Sequence, residues 1–466
     1  MFPNGVALIC YNNRMKLHNT LTRKTEDFLP QDAKNVKIYT CGPTVYSFQH
    51  IGNYAAYTYW DLLVRTLKIN GFTPNRILNL TDVGHLVSDA DEGEDKLEKG
   101  ATREGKSVWE IAEFYADDFL KNFRALNLLE PTKITKATDY IEADINLIDT
   151  LTEKGFTYET SDGIYYDTSK FPRYPDFAHL DLKGLQAGAR VDFNSEKRNP
   201  SDFALWKFIK PGEKHAMRWD YLDRPGYPGW HIECSSIIHA ELGEPIDIHT
   251  GGIDHIPVHH TNEIAQSEAA YDKPLSKYWL HNNHITIAGE KISKSLGNTY
   301  TFPDLSERGF SHMDYKMWIL EGHYRSQRDF TFNSLTAAKK RLLNYRNFAA
   351  LRHQTTPSDT AEAQQKITAA LSEDLNSPKA LSLLDEAVKT QKPSAEFIEL
   401  LDEAFGLDIL NSTPDITKEQ KSLIASRESA RTTKDYQKSD TLRAELEKQN
   451  LTVLDTPNGS VWQYIN

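Results

Sequence analysis

The chain moves between two hydrophobic rhythms. Residues 36–40, Val-Lys-Ile-Tyr-Thr, form a short apolar run that ends at the turn Gly42-Pro43, which reads as a strand. Residues 54–67 carry a broad apolar stripe and stop near Asn70-Gly71, the signature of a helix and its terminator. Residues 76–80 read as a second strand. Strand, turn, helix and strand together predict a βαβ unit and a parallel sheet. Helical spacing returns over 107–126 and over 141–154, the latter stopped by Gly155. Between 158 and 204, pieces such as Gly163-Ile164-Tyr165-Tyr166 alternate with Pro and Gly turns, as in an inserted module. Strand and helix texture resumes over 230–249. From Asn333 onward the pattern is almost entirely helical, with linkers at Thr355-Thr356-Pro357-Ser358, Gln391-Lys392-Pro393-Ser394 and Asn411-Ser412-Thr413-Pro414. The first half is therefore predicted to be α/β and the second all-α.

Composition narrows this picture. A chain of 466 residues exceeds one compact core, so roughly two to four domains are expected. No stretch approaches the roughly 18 apolar residues of a membrane span. Met1-Phe2-Pro3-Asn4-Gly5 offers neither a basic n-region nor an apolar h-region, so a cytoplasmic location is expected. Three cysteines cannot form a disulfide framework, and Cys10 reads as plain core. The net charge of -12 argues against a surface coated in nucleic acid but leaves room for a local basic track.

The other two cysteines open the chemistry. Cys41 follows the first strand, and Cys234 lies in Trp230-His231-Ile232-Glu233-Cys234. His259 and Glu263 are four residues apart over 258–271, a stretch of helical character with Pro257 suited to its first turn, so they share one face. His260 would then point about 100° away. Two thiols, an imidazole and a carboxylate are donors that Zn²⁺ prefers. The same residues also suit two core cysteines and a surface His/Glu pair.

Two further segments suit a nucleotide. His50-Ile51-Gly52-Asn53 stands between a strand and a helix, where free N–H groups and the dipole favour phosphate. Lys291-Ile292-Ser293-Lys294-Ser295 brings two ammonium groups to one loop. Each alone would equally suit a turn or an exposed basic loop.

Together these segments resemble the two signature motifs, His-Ile-Gly-His and Lys-Met-Ser-Lys-Ser, of class I aminoacyl-tRNA synthetases. The thiol segments, Gly251-Gly252-Ile253-Asp254, His259-His260-Thr261-Asn262-Glu263 and the C-terminal run from Ala430 to Arg443 are similar to the cysteine-specific family of that class. The resemblance spans nearly the whole chain. It implies a Rossmann-like α/β catalytic domain with an inserted connective module, then an all-α helical bundle and a small anticodon-binding domain. The corresponding boundaries are 1–130 and 226–276 for the catalytic halves, 131–225 for the insertion, 277–332 for a stem-contact region, 333–405 for the bundle and 406–466 for the anticodon-binding domain. The resemblance also implies one Zn²⁺ on Cys41, Cys234, His259 and Glu263, and Mg²⁺ accompanying ATP. It places His50, Gly52, Asn53 and Lys294 on ATP, gives the catalytic role to His50, Asn53, Lys291 and Lys294, and sets Gly42, Thr81, Trp230 and Asp254 around L-cysteine. tRNA(Cys) is the acyl acceptor, and a monomer with no membrane partner is expected. His231, His255 and His260 would crowd the metal.

Two positions depart from the motifs. Asn53 replaces a histidine and cannot carry positive charge; Ile292 replaces methionine. A cysteine–amino-sugar ligase would share the core, but the matched segment from Arg427 to Asp455 argues against it. A non-catalytic RNA-binding paralogue would be expected to lack His50, Lys294 or the thiols. Basic residues at Lys339, Lys340, Arg341 and Arg346, and again at Arg427, Arg431, Lys434, Lys438 and Arg443, are candidates for the tRNA backbone. Trp462 and Tyr464 are candidates for stacking on anticodon bases.

Overall fold

The computed structural model describes residues 14–84, 105–181, 196–210, 212–213, 215–292, 297–456 and 459–465. A hairpin of β1 (Lys16–Asn19) and β2 (Lys24–Asp27) precedes β3 (Val36–Thr40), α1 (Ile51–Ile69), β4 (Pro74–Leu80), α2 (Val108–Ala125), β5 (Lys133–Lys136) and α3 (Ile141–Glu153). Then come β6 (Thr157–Thr160), β7 (Gly163–Tyr166), β8 (Phe203–Phe208), β9 (Trp219–Tyr221) and β10 (Arg224–Pro228). The α/β texture resumes with α4 (Ile232–Glu241), β11 (Ile246–Gly252), α5 (Thr261–Tyr271) and β12 (Ser276–Asn282).

The central sheet runs β12-β11-β3-β4-β5, all parallel. β3, β4 and β11 are largely buried on both faces, whereas the edge strand β5 is mostly exposed. The chain winds outward from β3 in one direction and from β11 in the other. The crevice beyond the carboxyl ends of β3 and β11 is thus the topological switch point, where open α/β sheets bind ligands. β6 to β10 form a separate antiparallel sheet, β6-β7-β8-β10-β9. It takes in the strand-like pieces read over 158–204 and extends past them to Pro228, and Trp206, Phe203 and Leu205 seat it on Leu147 and Ile148 of α3.

A small sheet follows, β13 (Ile285–Ile287), β14 (Glu290–Lys291) and β15 (Arg328–Phe330), enclosing α6 (Phe302–Glu307) and α7 (His312–Leu320) in sequence. Beyond it lie α8 (Phe332–Ala350), α9 (Ala361–Ser372), α10 (Ser377–Thr390) and α11 (Ala395–Phe405). One apolar core runs from the sheet into these helices, joining Leu63 and Leu67 to Leu371 and Phe405. Asp61 of α1 crosses the same boundary. It accepts from Arg65 Nε at 2.7 Å, Lys316 Nζ at 2.9 Å and Leu129 N at 2.7 Å. Burial would raise its carboxyl, but Lys316 and Arg65 bring it down to about 2.

The C-terminal unit corrects the all-helical expectation. α12 (Lys418–Thr432) and α13 (Tyr436–Lys448) lead into an antiparallel hairpin, β16 (Leu451–Thr456) and β17 (Gly459–Tyr464). Trp462 is not free to stack on a base. It pairs with Val453 across the hairpin and packs with Ile416, Leu446 and Leu451. Arg427 is also withdrawn, buried and bidentate on Asp455 at 2.8 and 3.0 Å. Arg341 is held by Asp385 and Glu321.

Candidate active site and metal centre

The sequence places the site through strand ends. Cys41 and Gly42 leave β3, Gly251 and Gly252 close β11, and Asn282 closes β12. A cavity of about 690 Å³ opens there. One end is formed by Cys41, Gly42, Trp230, Asp254 and His255, the other by His50, Gly52, Asn53 and Ile292. Gly42 is fixed by its N–H, which donates to Asn79 Oδ1 at 2.8 Å.

At the first end, Cys41, Cys234, His259 and Glu263 bring their donor atoms within 4.8 Å of one another, all buried. The structure thus brings the four candidate ligands together, with one local difference from the helix expected over 258–271. Residues 256–260 form one wide π-type turn, and α5 begins only at Thr261. The wider turn brings His260 inward as well as His259, so its Nε2 lies 3.5 Å from Cys41 Sγ instead of pointing away.

Each donor is held from behind. His259 faces Glu263 Oε1 with Nε2 at 3.0 Å, while its Nδ1 is 2.9 Å from His231 Nδ1. Glu263 Oε2 is 2.7 Å from His249 Nε2, and His249 stacks on Trp279 at 4.5 Å. His260 Nδ1 meets His281 Nε2 at 2.7 Å, and His281 Nδ1 meets Thr20 Oγ1 at 2.8 Å. His249, His281 and Thr20 escaped the sequence reading. His249 sits in a buried strand run, and Thr20 is 261 positions from its partner, so no local spacing marks them.

The protonation pattern fits a cation. Burial pushes the Cys41 thiol up, whereas its hydrogen bond to Cys234, with His259 nearby, brings Cys234 down to about 6. Burial would lower His259, but Glu263 and Cys234 raise it to about 10. Burial would likewise raise Glu263, yet His249 and His259 hold it well below the usual carboxylate range. Two anions and two removable protons, on Cys41 and His259, thus stand where a divalent ion would sit. A second quartet, Cys41, His249, His260 and Glu263, shares two of these donors. It has one thiol, and the softer pair of thiols in the first suits Zn²⁺ better.

At the other end, His50 caps α1. Asn53 lines the cavity and accepts from His50 N at 3.1 Å, so its amide oxygen serves the helix start. A Cβ on Gly52 would stand 2.9 Å from Ile292 Cδ1, which shows how closely the root of the second motif packs on the first. Lys291 pairs through its backbone with Thr286; Lys294 lies outside the described residues. Thr81 is not in the cavity wall. It is buried behind it, with Oγ1 accepting from Asn79 Nδ2 at 3.2 Å.

Residues 27–340 match the model of the tRNA synthetases class I (C) catalytic domain. The chain belongs to the class I cysteine–tRNA ligase family. It is therefore an aminoacyl-tRNA ligase by family. The cysteine–tRNA ligase of Treponema denticola is 39% identical over 488 residues, covering 96% of this chain and 99% of that one. Cysteine–tRNA ligase 1 of Burkholderia lata is 42% identical over 452 residues, covering 96% of each. In fold, the chain is similar to the Mycobacterium tuberculosis methionyl-tRNA synthetase in complex with methionyl-adenylate, at TM-score 0.56 and 14% identity over 81% of this chain and 89% of that one. It is also similar to an Agrobacterium radiobacter LeuRS in complex with tRNA and LeuAMS, at TM-score 0.59 and 10% identity over 84% and 87%. Among the described residues, no helix is long and apolar enough to cross a membrane.

Proposed function

We propose that this family member joins L-cysteine to ATP, releasing pyrophosphate and forming cysteinyl-adenylate, and then passes the acyl group to the 3′ end of tRNA(Cys). The observation that carries this reading is one continuous cavity with the Cys41 face of a thiol-rich cage at one end and the nucleotide motif at the other.

Cys41, Cys234, His259 and Glu263 would hold Zn²⁺. When bound, it favours a thiolate over a neutral hydroxyl, a distinction that hydrogen bonding alone makes poorly between isosteres. Asp254 is the anionic partner for the substrate ammonium, and Trp230 covers the pocket beside His259, with ring centres 5.0 Å apart. Gly42 lines the amino-acid end, and its missing side chain is required by the Asn79 backbone, whose carbonyl oxygen stands 1.5 Å from where a Cβ would sit. Thr81 acts from behind the wall, positioning groups that touch substrate. The carboxylate of cysteine attacks the α-phosphorus, and no protein nucleophile is needed. His50, Lys291 and Lys294 would stabilise the charge that develops on the phosphates, and Mg²⁺, when bound with ATP, would add positive charge there. Asn53 contributes by fixing the start of α1 and hence His50. Units 277–332, 333–405 and 406–466 would take the tRNA stem, body and anticodon, the last through exposed cations such as Lys434 and Lys438. The enzyme would work in the cytoplasm as a monomer.

The test is ATP–pyrophosphate exchange with cysteine and serine in parallel, with metal measured on the same sample. Cysteine-dependent exchange in zinc-loaded protein and little with serine is expected. Equal exchange with both, or full activity in metal-free protein, would refute the reading.

A further inference from the structure

The sequence reading gives His255 only a place near the metal, and the structure puts it in the cavity wall. It closes the short turn Ile253–His255 that follows β11. Its ring centre lies 5.1 Å from that of His259 and 5.1 Å from that of His260, so it stands at the metal end, away from His50. A Cβ on Gly251 would fall 2.7 Å from His255 Nδ1 and 2.6 Å from His260 Cε1. The glycine is what admits both histidines.

The two ring nitrogens of His255 are in unlike surroundings. Among the described residues, Nδ1 is enclosed and finds no hydrogen-bond partner. An enclosed N–H without an acceptor is rarer and costlier than an enclosed lone pair. The neutral ring therefore keeps its proton on Nε2. With Nδ1 enclosed, the edge that meets the cavity is the one bearing that N–H. The wall at the metal end thus presents a donor.

We infer that His255 donates a hydrogen bond from Nε2 to the sulfur of the bound amino acid, making it a specificity-determining contact. The inference rests on the proposed function. Of the substrate's three polar groups, the ammonium is itself a donor and belongs to Asp254. The carboxylate must face the phosphate at the His50 end. The sulfur remains, and it lies where His259 and Cys41 converge. A thiolate accepts a charge-assisted bond, whereas the neutral hydroxyl of serine accepts a weaker one. His255 thereby adds to the preference for cysteine without adding a ligand to the cage.

The experiment compares the zinc-loaded, full-length protein with His255→Leu and His255→Gln. Calorimetric titration with cysteine and with serine, in the absence of ATP, reads binding apart from turnover. Zinc content and the KM for ATP are measured alongside. Leucine should weaken cysteine binding roughly ten- to a hundredfold, the scale of one hydrogen bond to a charged group. Serine binding should weaken distinctly less than cysteine binding, and zinc content and the KM for ATP should hold within about twofold. Glutamine, which keeps an N–H donor, should recover part of the loss. Cysteine affinity unchanged in His255→Leu would overturn the inference. So would equal weakening for serine, or loss of zinc, since either marks a structural role. If the unaltered protein binds no cysteine, the proposed function falls and this contact with it.

Discussion

His249 offers a sharp test of the metal centre, because it touches the cage through one bond. Its Nε2 is 2.7 Å from Glu263 Oε2, and both side chains are fully buried. His249→Phe keeps a flat ring against Trp279, where the imidazole now stacks at 4.5 Å, and removes only the donor. Glu263 would retain His259 on Oε1 but leave Oε2 without its imidazole. A hydrogen bond to a charged group contributes about 1.5–3 kcal/mol. At about 1.4 kcal/mol per decade, zinc affinity should fall roughly ten- to a hundredfold, the usual effect of losing a partner that orients a metal ligand. Competition against a chromophoric chelator reads that affinity directly. Cysteine-dependent exchange at saturating zinc should return most of the activity, since the cage is weakened and not dismantled. A zinc dissociation constant within twofold of the parent would refute the argument that Glu263 is held by His249. So would activity that zinc cannot restore.

Asp61→Asn tests the buried cluster on α1. The carboxyl titrates at about 2 in the folded chain, below its ordinary value, so its contribution is present above about pH 4 and is lost as pH falls through 2. The variant should lose roughly 2 kcal/mol at pH 5, and the gap in urea midpoint should narrow by pH 2.5; a gap independent of pH would contradict this. Lys294→Ala should slow adenylate formation on the order of a hundredfold while leaving cysteine binding intact, as equilibrium titration would show. Equal loss of both would contradict that assignment. Removing the chain after Asn411 should preserve pyrophosphate exchange and weaken tRNA charging. It also strips Tyr464 from Asn347 and Trp462 from Gln354 on and beyond α8, so circular dichroism should accompany the assay. Unchanged charging would remove the case for an anticodon-binding unit.

What could be read in advance divides along physical lines. β3, α1 and β4 announced themselves because a largely covered parallel strand is rich in apolar residues and Asn70 stops a helix from within its own neighbourhood. Cys41, Cys234, His259 and Glu263 were legible as a donor set, since their chemistry is unusual wherever they stand. The π-type turn was not, because nothing in Ile256-Pro257-Val258-His259-His260 marks which carbonyl each N–H will reach. His249 was hidden for a different reason. A histidine in an apolar strand looks like any buried polar residue until its partner, 14 positions on, is brought over it. The stacking role for Trp462 failed on a signal that was present: residues 451–464 alternate and contain Pro457-Asn458-Gly459, a hairpin pattern that should outrank an aromatic near a terminus. The basic series misled because helical spacing reports which side chains share a face, not which are already neutralised, as Arg427 is by Asp455.

The fold also explains why the helical half does more than trail behind the catalytic sheet. α1 begins at His50, at the mouth of the crevice, and extends 19 residues to Ile69. Arg65 near its far end donates to the carbonyls of Asp402 at 2.9 Å and Asn127 at 2.7 Å, so it ties α1 both to α11 and to the turn after α2. Lys316 of α7 closes the same knot on Asp61 and on the carbonyls of Leu126 and Asn127. A helix is stiff over this length, so fixing its far half fixes the direction of its N-terminus. The position of His50 is therefore set from the bundle side as much as from β3. Asn53, which lacks the charge of the usual histidine, gains significance in that setting. Its amide oxygen holds the first turn of α1 closed on His50 N, and the phosphate end is ordered by a cap at one end of the helix and an ion cluster at the other.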